Sequence, residues 1–419
     1  MLDKEKIGKA ISSQRKQKGL TQRHLADMLN VSYQAVSRWE LGLSLPSLDM
    51  IYDISRILET TVDSLLHGEN DGRKFLTYKD SGLDTRKLHV IKKRLYELVT
   101  DEETLLHAQY LDPAFFQLDT SRMKEPVYAI SSHVPGSKER FAAEYGYDRE
   151  ICMDLVASAA NHLMFWGVKP VLLQALITCG NNDSGQLLTM GEAFKEACSE
   201  NGIVFAGIEV AAQAVNYTPG EYKINAVVLG VTDKKKIPKQ ANVEEGDVLI
   251  GVHSDGIHGS SYPLIKLMLD QRPDILYDKV DQEHSFADAL MKPISSYVNV
   301  LCELTAQNLI HAVFGVRNSL VKCKSYGMIP EGLGACICLS AIPVPALLRY
   351  LYELKITTTE SFLHFFSFGI GMMVAVPKES RDQAIAVIQK HYPCHVIGSI
   401  ERNADHPDEK VWTKGAFQW

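Results

Sequence analysis

Over residues 19–46 apolar and polar positions follow a helical period. Leu25, Met28, Leu29, Val31, Val36 and Trp39 recur at spacings that place them on one inward stripe. Thr21 and Ser32 stand where a side-chain oxygen caps a helix, Asn30 and Val31 fill a turn, and Gly42 supplies a stop. The pattern predicts helices over 22–29 and 33–41, and flanking periodic stretches predict three more over 4–18, 48–58 and 62–66. Ala26 is small where two helices must cross. Tyr33, Gln34, Ser37 and Arg38 remain on the outer face of the 33–41 helix. Gln and Arg are the side chains shaped for bidentate contacts to adenine and guanine edges in a major groove.

A polar stretch at 67–74 (HGENDGRK) follows, with Gly, Asn and Asp suited to a flexible connection. Beyond it the pattern changes. Apolar runs at 127–133, 225–232, 248–253, 335–341, 371–376 and 395–400 read as strands. Helical periods at 148–166, 185–201, 262–269, 345–354 and 380–391 lie among them. The expectation is a multidomain chain: an all-α five-helix head (1–67), a linker (68–77) and an α+β body in two halves, 78–235 and 236–419.

Length agrees, because 419 residues exceed what one hydrophobic core serves. Residues 1–38 carry eight Lys/Arg against three Asp/Glu, a net of +5, whereas residues 39–70 carry one against six, a net of −5. This polarity suits a surface that meets DNA on one side, although a solvated face has the same look. The whole chain has a net charge of −7, which argues against indiscriminate nucleic-acid binding by the body, so DNA contact is expected to be confined to the head. Eight scattered cysteines lack a C-x-x-C spacing and read as reduced, buried residues. No leader-like segment opens the chain and no apolar run reaches membrane-spanning length, so a cytoplasmic location away from membranes is expected.

The segment 4–67 resembles the Cro-repressor-like helix-turn-helix family, in which the third helix enters the groove and the second begins on a phosphate. The resemblance implies that Tyr33, Gln34 and Arg38 reach bases, with Ser32 and Ser37 beside them and Gln22 on the DNA backbone. A small helical bundle for protein contact is the competing reading.

A second resemblance spans 78–402. The segments YKDSGLD (78–84), MDLVASAANHLMFWGVKPV (153–171), GIVFAGIEVA (202–211), GDVLIGVHSDGIHGSSYPLIK (246–266), IPVPALLRYL (342–351), FGIGMMVAVP (368–377) and VIGSI (396–400) occur in the order found in the aminoimidazole ribonucleotide (AIR) synthase family. Members of that ATP-dependent cyclo-ligase family are similar in forming tight dimers. They bind ATP and a ribonucleotide phosphate with magnesium, which prefers carboxylate oxygen.

The chain departs from the family where that chemistry sits. The family's Asp-Gly-Val-Gly-Thr-Lys is here His133, Val134, Pro135, Gly136, Ser137 and Lys138. Its Asn-Asp pair is Asn161 and His162, and Ala212 replaces the second Glu of the segment that keeps Glu209. A Thr-Gly-Gly-Gly turn has become Val313, Phe314, Gly315 and Val316, and the Gly-rich stretch before the first long strand is QYLDPAFFQL. Lys138, Asp154, Asn161, Glu209 and His258 remain. Two Asp-to-His changes remove a natural magnesium site, and Val and Phe are expected to fill phosphate space.

These readings imply a transcriptional regulator with no catalytic residues. Its partners would be duplex DNA at a palindromic operator, a second copy of the chain, and a small anionic metabolite. That ligand, a nucleotide or ribonucleotide phosphate, would sit among His133, Lys138, Asp154, Asn161, His162, Glu209 and His258. Lys138 is expected to attract the phosphate. His133 and His162 are expected to form a neutral, hydrogen-bonded pair lining a remodelled pocket. If protonated near neutral pH they would replace part of the metal's charge, so that affinity falls as pH rises, and a zinc site completed by Glu209 is an alternative. The rival function is an active ATP-dependent cyclo-ligase with an autoregulatory DNA-binding head, and a ligand-free scaffold is a third.

Overall fold

Five helices build the head: α1 (Lys4–Gln17), α2 (Gln22–Met28), α3 (Tyr33–Glu40), α4 (Leu48–Ile57) and α5 (Val62–His67). Capping sets their starts. The side chains of Asp3, Thr21, Ser32 and Ser47 each accept a backbone N–H in the first turn of the helix that follows. Asn30 and Gly42 take the left-handed conformation that ends α2 and α3. Ile7, Ile11, Leu25, Ala26, Val36, Trp39, Ile54 and Leu65 form the core. Met28, expected on the inward stripe, is 56% exposed because it occupies the last turn of α2, beyond the core. The tightest crossing is at Gly8, where a Cβ would lie 2.4 Å from the Trp39 carbonyl oxygen. Glycine there lets α1 approach α3.

The computed structural model describes residues 3–67, 84–99, 105–106, 114–180, 183–237, 242–317, 319–355 and 358–419. The linker 68–77 and all of the YKDSGLD segment but Asp84 lie outside them, as do residues 109–113 of QYLDPAFFQL. The chain divides into two compact units, Met1–Gly82 and Leu83–Trp419.

The second unit begins with α6 (Thr85–Tyr96), capped by Asp84, and the two-residue strands β1 (Leu105–Leu106) and β2 (Phe115–Phe116). Then follow β3 (Pro126–His133), α7 (Lys138–Tyr145), α8 (Asp148–Met164), β4 (Lys169–Cys179), α9 (Ser184–Glu200), β5 (Val204–Ala212) and β6 (Tyr222–Asp233). These strands pair in the order β3-β6-β4-β5, antiparallel except for β4 with β5. One face of this sheet lies under α8 and α9. The other leaves Tyr128, Ile130, Leu176 and Val227 exposed.

The remainder runs β7 (Val248–His253), α10 (Tyr262–Gln271), α11 (Phe286–Met291), α12 (Val298–Ala306), β8 (Ala312–Gly315), β9 (Leu333–Cys338), α13 (Ala346–Glu353), α14 (Thr359–Phe365), β10 (Ile370–Val376), α15 (Arg381–Ile388), β11 (Cys394–Arg402) and β12 (Val411–Lys414). Its six-stranded sheet has the order β12-β9-β11-β7-β10-β8. All seven residues of β10 are buried, as a strand covered on both faces requires. One continuous core joins this sheet to the four-stranded one. The cysteines are free thiols. Among the described residues no helix is long and apolar enough to cross a membrane.

Candidate functional site

On the head, Ser32 Oγ accepts the Ala35 N–H at 3.2 Å and so fixes the first turn of α3. Val36 and Trp39 point into the core, while Tyr33, Gln34 and Arg38 are exposed and Ser37 is half-buried. Gln22 also has a contact within the head. Its amide donates to Glu40 Oε2 at 2.7 Å, inside a network in which Arg15 donates to both Glu40 oxygens (2.5 and 2.9 Å) and Ser12 to one (3.0 Å). Burial would raise the Glu40 carboxyl, but hydrogen bonds from Arg15, Gln22 and Ser12 bring it below its ordinary value. Gln22 therefore braces α2 against α3 through one amide N–H.

In the body, β3 ends at His133 and α8 carries His162 near its C-terminus. Their rings meet edge to face, 4.9 Å between centroids. Ser131, two residues before His133 and hence on the same face of β3, completes a triangle. Ser131 Oγ is 3.0 Å from His133 Nε2 and 3.1 Å from His162 Nδ1, and the two nitrogens are 3.1 Å apart. Burial, then the fields of His162 and Arg317, push the His133 ring down to about 4. Burial and Arg317 also lower His162. Both shifts and the 3.1 Å contact favour the neutral, hydrogen-bonded pair over the protonated one, because two facing ring nitrogens at this distance cannot both carry protons.

Lys138 differs from expectation. Its side chain is fully buried, and Nζ donates to Asp154 Oδ1 at 2.5 Å and to the Lys292 carbonyl at 3.2 Å. Asp154 also accepts the Ile294 N–H at 3.1 Å. Asn161 donates to the Ser295 carbonyl at 2.8 Å and accepts the Tyr297 N–H at 2.7 Å. Lys138, Asp154 and Asn161 therefore pin the 292–297 segment to α7 and α8, and the Lys138 charge is spent internally. Glu209 is not in the cluster. It lies on β5, at the opposite edge of the sheet from β3, where it is exposed and pairs with Lys92 at 2.6 Å. Three strand spacings, roughly 14 Å, separate it from the histidines, which removes the contemplated third zinc ligand. Phe314 does not fill phosphate space. It is buried in the core against Tyr326, with ring centroids 5.3 Å apart.

Beside the triangle lies a cavity of about 140 Å³, lined by His253, Asp255, His258, Lys292 and Arg317 among others. Gly259 meets the loop after β3 so closely that a Cβ would lie 2.1 Å from the Pro135 carbonyl oxygen. His258 Nε2 is buried without a hydrogen-bond partner. Burial pushes this ring, too, down to about 4. Lys292 Nζ is 2.9 Å from Asp255 Oδ1, so that charge is paired. Arg317 has no ion-pair or hydrogen-bond partner among the described residues, and its field reaches His133, His162 and His258. The arrangement offers an anion one unpaired guanidinium and a set of neutral imidazoles. Ser131 and Arg317 were not among the expected site residues. The two-residue period of β3 could have found Ser131, whereas Arg317 follows β8 with no local signal.

Residues 11–65 match the helix-turn-helix family, and residues 244–406 match the family described as AIR synthase related protein, C-terminal domain. The phosphoribosylformylglycinamidine cyclo-ligase of Oceanobacillus iheyensis is 27% identical over 327 residues, covering 77% of this chain and 96% of that protein. The same enzyme of Bacillus mycoides is 26% identical over 329 residues, covering 77% and 94%. Thiamine-monophosphate kinase from Stenotrophomonas maltophilia superposes with a TM-score of 0.56 at 14% identity, over 78% of this chain and 96% of its own. HypE from E. coli gives 0.53 at 16%, over 78% and 94%. At those identities the structures speak to the fold alone.

Proposed function

We propose that this chain, which joins an N-terminal helix-turn-helix domain to an AIR synthase-related α+β body, is a cytoplasmic DNA-binding transcriptional regulator. In this reading the body has lost magnesium-dependent catalysis, pairs with a second copy, and senses a phosphorylated or purine-related metabolite. The observation that carries the DNA-binding part is the outward face of α3, where Gln34 and Arg38 are exposed on a helix whose other face is the head's core. Two facts support the loss of catalysis. Neutral His133 and His162 stand where the family places carboxylates, and Lys138 is neutralised by Asp154. Arg317 and His258 Nε2 are the groups left to hold the metabolite's anionic end.

The test is DNA binding by the full chain across a randomised duplex library. Gln34→Ala and Arg38→Ala are each expected to cost about 1–3 kcal/mol at the selected operator and to leave non-specific binding nearly unchanged. Wild-type selectivity in both variants would remove α3 as the reading helix.

A second reading, an active ATP-dependent cyclo-ligase with a DNA-binding head, draws on the similarity along nearly the whole length of the cyclo-ligases. Magnesium-dependent ATP hydrolysis by the purified chain would favour it over the regulator. Phosphate monoesters that bind tightly without turnover would favour the regulator.

A further inference from the structure

β3 runs from Pro126 to His133, so its two ends lie roughly 24 Å apart at about 3.4 Å per residue. At the Pro126 end, remote from the histidine triangle, the two halves of the body border a second, open cleft of about 1070 Å³. Small-molecule sites typically span roughly 300–1,000 Å³, so this one has room for a whole nucleotide.

Its lining divides by chemistry. The single-turn helix Lys234–Lys236, which follows β6, borders the cleft with all three lysines. The three lysines are exposed to solvent and at the same time border the cleft. Lys234 is 3.5 Å from Glu125, the one carboxylate that lines the cleft among the described residues. Lys235 and Lys236 have no ion-pair partner there. Asp233, the nearest acid in sequence, accepts the Lys124 N–H at 2.8 Å and the Lys235 N–H at 3.2 Å, which holds the turn in place, and its field also reaches the Lys235 ammonium. Phe165, Leu301, Val313 and Met328 supply apolar wall, and Asn242 and Asn308 supply amides. Phe165 is seated against Gly315, where a Cβ would lie 2.2 Å from its ring.

We propose that this cleft is a second ligand site, taking a nucleotide whose phosphates are held by Lys235 and Lys236 and whose base lies against the apolar wall. Ammonium groups grip phosphate as point charges without metal, and the single, already paired carboxylate offers no magnesium site. The proposal does not depend on the reading of the His133 site.

The experiment is calorimetry of the full-length chain with ATP, magnesium omitted, at two salt concentrations. Replacing Lys235 and Lys236 together by Ala is expected to weaken ATP on the order of tenfold and to flatten the salt dependence. Ala306→Trp fills the cleft from an exposed position at the end of α12 and is expected to abolish this binding. Arg317→Ala, at the other site, should leave it unchanged. Absence of ATP binding by the wild type overturns the proposal. So does a lysine effect that Ala306→Trp fails to reproduce, because that marks surface charge alone.

Discussion

Lys138 and Asp154 form an ion pair whose charges are satisfied inside the fold. Both are buried, 2.5 Å apart, and Lys138 also holds the Lys292 carbonyl. Asp154→Ala would leave an ammonium buried without a counter-ion, at an expected cost of about 3–5 kcal/mol. Replacing both residues by apolar ones of similar volume should recover most of that loss, and chemical denaturation of the three proteins measures it. An Asp154→Ala loss below about 1 kcal/mol would show that the pair is not held as described. The histidines make a separate prediction. His133 falls from an ordinary 6.5 to about 4, and His162 is lowered too. Below pH 6.5 the unfolded chain takes up protons that the folded rings refuse, so the body should lose stability as pH falls toward 4 and be flat in this respect above 6.5. His133→Gln should shallow that acid limb in thermal melts at graded pH, and an unaltered limb would place the protons elsewhere. Anion affinity is correspondingly expected to be level between neutral and mildly alkaline pH. Residue types at the site were legible in sequence, but their partners were not. Lys138 meets Lys292 across 154 positions and Asn161 meets Ser295 across 134, and no local pattern encodes such contacts.

Helix signals in the head are local, which is why they could be read. Thr21 and Ser32 cap, Asn30 and Gly42 turn, and the helices fall within a residue or so of their expected bounds. The α3 cap is open to test. Ser32→Ala removes the acceptor for the Ala35 N–H and should cost about 1 kcal/mol of stability, with Ser32→Asp retaining it. Equal melting of Ser32→Ala and wild type would assign the turn to other contacts. In the body, β7 and β10 were readable because strands covered on both faces are continuous apolar runs. β4 was not assigned. Register shifts near Pro170 and Leu173 break its two-residue alternation, so its apolar residues fit neither period. β12 is a four-residue edge strand paired in parallel with a strand more than seventy positions earlier, a partner no local signal names. α7 was hidden by the resemblance itself: KERFAAEY follows the altered phosphate loop and carries too weak a stripe to stand out.

At the scale of the whole molecule the question is what covers the outer face of the four-stranded sheet. Ile130 is 73% exposed and Tyr128 54%, with Val227 and Leu176 on the neighbouring strands of the same face. A contiguous apolar sheet face is a poor surface for water and a good one for a matching copy. Two-fold pairing there also meets a demand set by the head. One helix-turn-helix buries little surface, whereas two heads reading half-sites about 34 Å apart gain specificity together. Dimerisation through the body should therefore be separable from base reading by the head. Ile130→Glu is expected to shift the chain to monomer in analytical sedimentation and to weaken operator binding by at least about tenfold, because the second head's contribution is lost. Arg38→Ala should weaken the operator while leaving the sedimentation of the chain unchanged. A wild type that sediments as a monomer at micromolar concentration, or an Ile130→Glu variant that stays dimeric, would move the interface off this sheet. The two variants together then decide whether pairing and reading are distinct duties of distinct units, or whether the head alone supplies both.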